Sequence, residues 1–384
     1  MVRTLPERAS VVVIGGGIVG VSTAFHLAEA GVRDVLLIER DSLGAGSTSK
    51  AAGGVRASFS TLANIALGAR SLRTWRTFAD RPGGQIDLEQ VGYLFLLSTE
   101  DDLRGFSEAV AVQADFALES RIIDPAEVLR LNPLVVTDGL VGAAYSPGDG
   151  YCTPEAAVAG YATAARRHGA RLVTGVCASS IEKSGDEIVG VHTSAGFVRT
   201  DTVICCAGAW SRSVGEMAGT ALPVTPVRRQ IAVTEPVSVL PERFPMTLDY
   251  SSTFYFHREG PGLLFGMSPD EEPGFHTRTD DRWLSGLAEA VSVRAPALAD
   301  VGIAHTWAGL YEVTPDHDAL IGEVAGVSRF LYACGFSGHG FLMGPAVGEV
   351  VRDLYLRRQP FVDVSAMSTD RFVAGATRSE LHII

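Results

Sequence analysis

Gly15, Gly17 and Gly20 are spaced G-x-G-x-x-G, and a carboxylate, Glu39, stands about twenty positions further on. Residues of those types in that order can hold a dinucleotide. The first glycine permits a tight turn, the second lets a pyrophosphate approach the backbone, and the third lets helix and strand pack closely; the acid accepts from an adenosine ribose hydroxyl. That chemistry needs a strand before the turn and a helix after it. Val11, Val12, Val13 and Ile14 form the apolar, β-branched run expected of a strand buried on both faces, and residues 18–30 carry apolar side chains at helical spacing until Gly31 offers a stop. A second strand, residues 35–38, delivers Glu39. Ile18 and Val19 open the helix, whose free N–H groups and positive end face the phosphates, and they join the candidate cofactor set with Arg40 beside the acid. Glu39 favours a free ribose hydroxyl over a ribose phosphate, which leaves NAD and FAD both open.

A chain of 384 residues is long enough for two packed domains, and 46% apolar against 20% charged residues describes a well-packed α/β protein rather than a disordered one. The net charge of −12 argues against nucleic acid and anionic membrane surfaces as partners. No apolar run reaches the length of a membrane span, and residues 1–9 are too short and polar for a secretory signal, so a cytoplasmic location is expected. The five cysteines include no C-x-x-C pair and the nine histidines no H-E-x-x-H spacing, so neither a disulfide framework nor a metal is expected.

Along the chain, helices are expected over 66–78, 101–118, 125–131, 280–292 and 345–356, with a strand over 92–97. Thr153 reads as the N-cap of a helix that begins at Pro154 and stops at Gly169, and a charged hairpin turns around residues 184–187. Residues 222–268 alternate apolar and polar side chains through several short strands, an antiparallel sheet that can wall a substrate. Tyr255 and His257 are the polar side chains there that either line this wall or sit on a sheet face without a ligand. Trp210 reads as core, as large aromatics bury by default.

The stretch R-D-S-L-G-A-G-S-T-S-K-A-A-G-G-V-R, residues 40–56, is too long for a plain connection and rich in glycine and hydroxyls. With the A-G-A-W turn at 207–210, the T-P-D of residues 314–316 and the G-F-S-G-H-G-F turn of residues 335–341, it resembles the D-amino-acid oxidase-like flavoproteins, most of all the branch of sarcosine oxidase β subunits and amino-acid dehydrogenases. The four segments occur in family order over nearly the whole chain. The resemblance implies a Rossmann-like FAD-binding domain of α/β class with a mainly antiparallel-sheet substrate domain. The FAD-binding domain would comprise residues 1–85, 145–220 and 300–384, and the substrate domain 86–144 and 221–299.

By the same resemblance Ser47, Thr48, Val176, Ala207, Gly208 and Gly309 would contact FAD, and Gly335, Gly338, His339, Gly340 and Phe341 would stand at the isoalloxazine edge. Arg56 would clamp the substrate carboxylate, which suits a guanidinium fork. Tyr255 would close over the substrate. His339 would act as acid or base or, with better reason, shape the backbone and touch the flavin. The Cys that anchors FAD in monomeric sarcosine oxidases is replaced by Gly309 and Leu310, and the anchoring His of the dimethylglycine dehydrogenase branch by Lys50, so dissociable FAD is expected. Leu264 and Leu342 stand where monomeric sarcosine oxidases carry an oxygen-activating and a carboxylate-binding lysine, which weakens the case for sarcosine and for fast use of O₂, although other oxidases of the family work without the first lysine.

The implied activity is FAD-dependent oxidation of an amino acid or N-alkylated or cyclic amine to an imine, with O₂ or another electron acceptor and a possible partner subunit. The alternatives are an NAD-dependent dehydrogenase and a flavin-binding subunit without turnover of its own.

Overall fold

The structure is a computed structural model and describes residues 5–238, 240–375, 380 and 382. Its first layer follows from the valine run. Val11–Ile14 lies inside a six-stranded sheet in the order Leu320–Glu323, Phe330–Cys334, Val203–Cys205, Val11–Ile14, Val35–Glu39, Arg171–Thr174, parallel except for the first pair. Strand alternation sends Val11 and Val13 to one face and Val12 and Ile14 to the other. On the first face pack the helices Ile18–Glu29, Pro154–Arg167 and Gly340–Tyr355; on the second lies a three-stranded antiparallel sheet formed by Ala178–Ser184, Glu187–Thr193 and Gly196–Arg199. Each fully buried Val or Leu contributes about 1.5–3 kcal/mol relative to exposure, so covering both faces drives the layer together.

The second layer is an eight-stranded mixed sheet. Its order is Ile303–Val313, Thr225–Thr234, Gly262–Met267, Phe254–Glu259, Met246–Asp249, Tyr93–Leu97, Gly142–Ser146, Arg121–Ile123, antiparallel except where Met246–Asp249 meets Tyr93–Leu97. Alternation again sorts the side chains. Leu94, Leu96, Phe254 and Phe256 pack under the helix Asp281–Arg294, whereas Tyr93, Phe95 and Tyr255 face the parallel layer.

Several boundaries move. The helix expected over 66–78 runs Leu62–Arg76, that over 101–118 runs Glu100–Ala114, that over 280–292 runs Asp281–Arg294, and the strand starts at Tyr93. The helix expected over 345–356 begins at Gly340, with Pro345 inside it; a proline normally suits the first helical position, but here the glycine-rich turn itself already takes helical geometry. Pro125–Leu131 and the hairpin at 184–187 stand as expected. Thr153 is the N-cap residue by position, but its hydroxyl donates to Asp87 Oδ2 (3.1 Å) rather than serving the helix. Among the described residues no helix is long and apolar enough to cross a membrane, and no group of three or more His, Cys, Asp or Glu side chains is placed to hold a metal ion.

Candidate active site

The two layers enclose a cavity of about 390 Å³. One end is the glycine turn. A Cβ on Gly15 would overlap the carbonyl of Cys206, and one on Gly20 would overlap the carbonyl of Gly15, so these two glycines set the approach of strand and helix. Gly20 accordingly lies behind the cavity wall, while Gly15, Gly17, Ile18 and Val19 line it. Gly17 caps the helix Ile18–Glu29 with no side-chain cap and no acid in the first turn, leaving the positive end open. Ile18 N–H donates to Thr48 Oγ1 (3.2 Å), which orients that hydroxyl, and Glu39 accepts from the N–H groups of Gly16 (2.7 Å) and Asp41 (2.8 Å). Ser47 and Val176 line the same end; Ser47 Oγ donates to the Leu310 carbonyl (2.6 Å) and ties this loop to the second layer. Donors at a helix start, a cradle free of side chains and a carboxylate at the next strand end fit a dinucleotide.

Ala207 and Gly208 line the middle. Trp210 corrects its sequence reading: it is half-buried at the cavity, with Arg40 stacked 3.8 Å over its ring and Phe275 on it, because the turn after Val203–Cys205 aims it outward. Glu312, which the sequence reading passed over, also lines the cavity. It accepts from Gly335 N–H (3.1 Å), and burial pushes its carboxyl up to about 7. Gly335 itself is absent from the lining: its φ of +72° and the closeness of Thr314 reserve it for the turn, while Gly338, His339, Gly340 and Phe341 reach the cavity.

At the far end stands Arg56, buried, just after the short strand Gly54–Val55. Its Nη1 donates to Ser58 O (2.7 Å), and its Nη2 to His382 O (2.5 Å) and His339 Nε2 (3.1 Å), with the guanidinium 4.2 Å from the Phe59 ring centroid. Arginine only donates, so His339 Nε2 must accept and the ring proton lies on Nδ1. Burial, then the Arg56 charge, hold His339 well below its ordinary value. This leaves the acid–base reading of His339 without a proton to move at Nε2.

Three phenols enter beside Arg56, each lying over a glycine. Tyr93 rests on Gly54, Tyr255 on Gly266 of the neighbouring strand and Tyr311 on Gly338; a Cβ at any of the three would collide with the ring or its hydroxyl. Of these the sequence reading found only Tyr255. The signal for the others was the glycines, which mark close approach. His257 is corrected. It shares Tyr255's face by alternation, but Ala52 O accepts from or faces its Nε2 (3.0 Å), Arg258 O its Nδ1 (2.7 Å), and Tyr151 stacks on it, so it is a buried ring that borders a second cavity of about 520 Å³ and not this one. Burial lowers its pKa to about 4. Leu264 also lines that second cavity, whereas Gly309, Leu310 and Leu342 belong to the first.

Asp149 holds the Arg56 loop from behind, accepting from Ala57 N–H (3.1 Å) and Ser58 Oγ (3.1 Å). Burial pushes its carboxyl up to about 7, against the pull of Ala57 N–H, Arg56 and Ser58. A carboxyl whose folded pKa is raised binds more protons folded than unfolded between about 4 and 7, so its contribution to stability is full below pH 4 and is lost as pH rises through 7. Asp149→Asn removes this dependence. The melting temperature of the variant minus that of the natural protein is expected to increase from pH 5 to pH 8; a difference that stays flat or falls across a pH series of thermal melts refutes the assignment.

A family model described as FAD dependent oxidoreductase matches residues 10–354. The chain is 31% identical to the mitochondrial dimethylglycine dehydrogenase of Rattus norvegicus, over 95% of this chain and 45% of that protein. It is 30% identical to the mitochondrial sarcosine dehydrogenase of Homo sapiens, over 96% of this chain and 42% of that protein. The chain thus spans less than half the length of these curated relatives. Among solved structures, L-proline dehydrogenase from P. horikoshii superposes with a TM-score of 0.93 at 32% identity, covering 97% of this chain and 100% of that one.

Proposed function

Since the chain belongs to the FAD-dependent oxidoreductase family, we propose that it oxidises an amino acid or an N-alkylated or cyclic amine bearing a carboxylate. The nicotinamide alternative falls with that membership. When bound, FAD would supply the acceptor for the hydride leaving the carbon beside the amine nitrogen. The nitrogen lone pair closes the C=N bond, its proton goes to solvent, and water hydrolyses the imine. The observation that carries this reading is one cavity joining a dinucleotide cradle to a buried guanidinium among phenols.

Gly15, Gly17, Ile18, Val19 and Thr48 would hold the pyrophosphate, and Glu39 with Arg40 the adenosine end. The start of the helix Gly340–Tyr355, after Gly338 and His339, would place positive potential at the ring. Arg56 would grip the substrate carboxylate while Tyr93, Tyr255 and Tyr311 exclude water around it. His339 would keep the guanidinium in place. Dissociable FAD is part of the same proposal: the Lys50 Cβ stands 2.6 Å from where a Cβ on Gly309 would be, so the two anchor positions implied by the sequence resemblance face each other, and this chain has neither the Cys nor the His. The sheet memberships support the two-domain division, with the strand Ile303–Val313 belonging to the substrate layer. Five free cysteines suit a reducing, cytoplasmic location.

Leu264, where monomeric sarcosine oxidases carry an oxygen-activating lysine, favours a second reading of the electron acceptor, another molecule or chain rather than O₂. Anaerobic titration of the yellow protein with N-methyl, cyclic and primary amino acids tests both. Bleaching of the flavin band by one class supports the proposal, and absence of bleaching by all of them refutes it. Recolouring in air marks an oxidase; recolouring only with an added dye marks a dehydrogenase.

A further inference from the structure

The strand Thr225–Thr234 carries two adjacent arginines that alternation sends to opposite faces. Arg228 faces away from the site and is neutralised by Glu271 (2.9 Å) and Asp280 (2.6 Å). Arg229 lines the cavity and meets no carboxylate among the described residues; its one hydrogen bond runs from Nη1 to the neighbouring carbonyl of Arg228 (2.9 Å). Its Nε is buried without a partner, and its guanidinium stands 5.2 Å from the Tyr311 ring centroid. A guanidinium does not give up its proton in a protein, so this half-buried cation, with Nε unpartnered and no carboxylate beside it, is suited to an anion that enters the cavity.

The pyrophosphate cradle is formed by a different part of the wall, the turn of Gly15–Ile18. Arg229 belongs to the substrate side, next to Ile231 on the same face of its strand and close enough to Tyr255 and Tyr311 for its charge to act on both hydroxyls. Tyr311 also feels the charge of Arg56. The substrate end therefore holds two guanidiniums around a shared phenol, positive charge enough for two carboxylates.

We propose that Arg229 receives a second acidic group of the substrate, so that the preferred class is an amino or N-alkylamino dicarboxylate. This rests on the reading of the cavity as an amine-oxidising site and names its substrate class. Arg56 and Arg229 each take one carboxylate through charge-assisted bonds, which strengthen where flanking rings such as Tyr311 limit water.

The test uses matched pairs that differ in the second acid, N-methylglutamate against N-methylglutamine and iminodiacetate against N-methylglycine. Anaerobic bleaching rates are measured in the natural protein and in Arg229→Met, and dissociation constants of the unreactive acetate and glutarate are read from the absorbance of bound FAD. Expected are a preference for the diacids and for glutarate, and a loss in Arg229→Met of about 100-fold on the diacids, at least about tenfold beyond its loss on the monoacids. Arg229→Lys, which keeps the charge without the fork, is expected to retain part of the preference and serves if the Met variant does not fold.

Bleaching with no preference for the second acid, or equal losses on both members of each pair, overturns the inference and leaves the amine-oxidising reading intact. So does a loss of FAD affinity without a change in selectivity, which would make Arg229 a cofactor ligand. Failure of every amine to bleach the protein refutes the underlying reading instead.

Discussion

Arg56→Met is expected to lower kcat/KM by about 1,000-fold, the scale of losing one partner of a desolvated charge pair. The guanidinium is held by three acceptors, Ser58 O, His339 Nε2 and His382 O, and packed against Phe59, so its direction is set before substrate arrives. Methionine approximates the volume but offers neither charge nor donor. The three acceptors lose their partner together, and a fall of about 2–4 kcal/mol in stability is expected to accompany the kinetic defect. Arg56→Lys separates the two contributions. It keeps a positive charge but cannot span two carboxylate oxygens, so its kcat/KM should lie between those of Met and the natural residue. Both variants should retain yellow colour, since Arg56 stands at the end of the cavity opposite the glycine turn. Steady-state kinetics with any amine that bleaches the protein, together with FAD absorbance, decide the matter: a loss under tenfold in Arg56→Met refutes the clamp.

Gly15→Val and Gly20→Val should each yield protein that does not hold FAD. At Gly15 the backbone has φ +113°, a region side chains rarely adopt, and the new Cβ would strike the Cys206 carbonyl. At Gly20 the collision is with the Gly15 carbonyl, so the helix would have to withdraw from the strand and carry its N–H groups away from the phosphates. A loss of at least about 100-fold in FAD affinity is expected from either change. Gly105→Ala is the control. Gly105 sits in the helix Glu100–Ala114 with open space around its Cβ, and the substitution is expected to stabilise by about 0.5–1 kcal/mol with FAD binding unchanged. Fluorescence titration of apoprotein with FAD checks all three. Tight binding by Gly15→Val or Gly20→Val would refute the close-approach role of that glycine.

Much of the cofactor end was legible in the residues alone, because its signals are local. A β-branched run, a glycine turn, a helix without breakers and an acid at the next strand end each depend on chain neighbours within a few positions, and their succession has one common solution. The phenol Tyr311 was nearly legible, lying three residues before the T-P-D that helped carry the resemblance. Trp210 was misread because a preference for burial says nothing about a cavity that the chain builds around the side chain.

The sequence by itself determined the layered α/β architecture and the glycine turn between its first strand and helix, and through its resemblance it pointed to Arg56. Tertiary structure alone decided the rest of the site. The contact between Arg56 and His339 spans 283 positions, and that between Asp149 and Ala57 spans 92. Alternation required one of Arg228 and Arg229 to face inward, but the register of their strand against Ile303–Val313, with Arg229 opposite Gly309, chose which one. Tyr255 and His257 share a face, and only the descent of the Ala51–Ala52 loop onto His257 divided them between two cavities. In each case the deciding interaction joins segments far apart in sequence. Its geometry comes from strand register and loop packing, which no local pattern of residue types encodes.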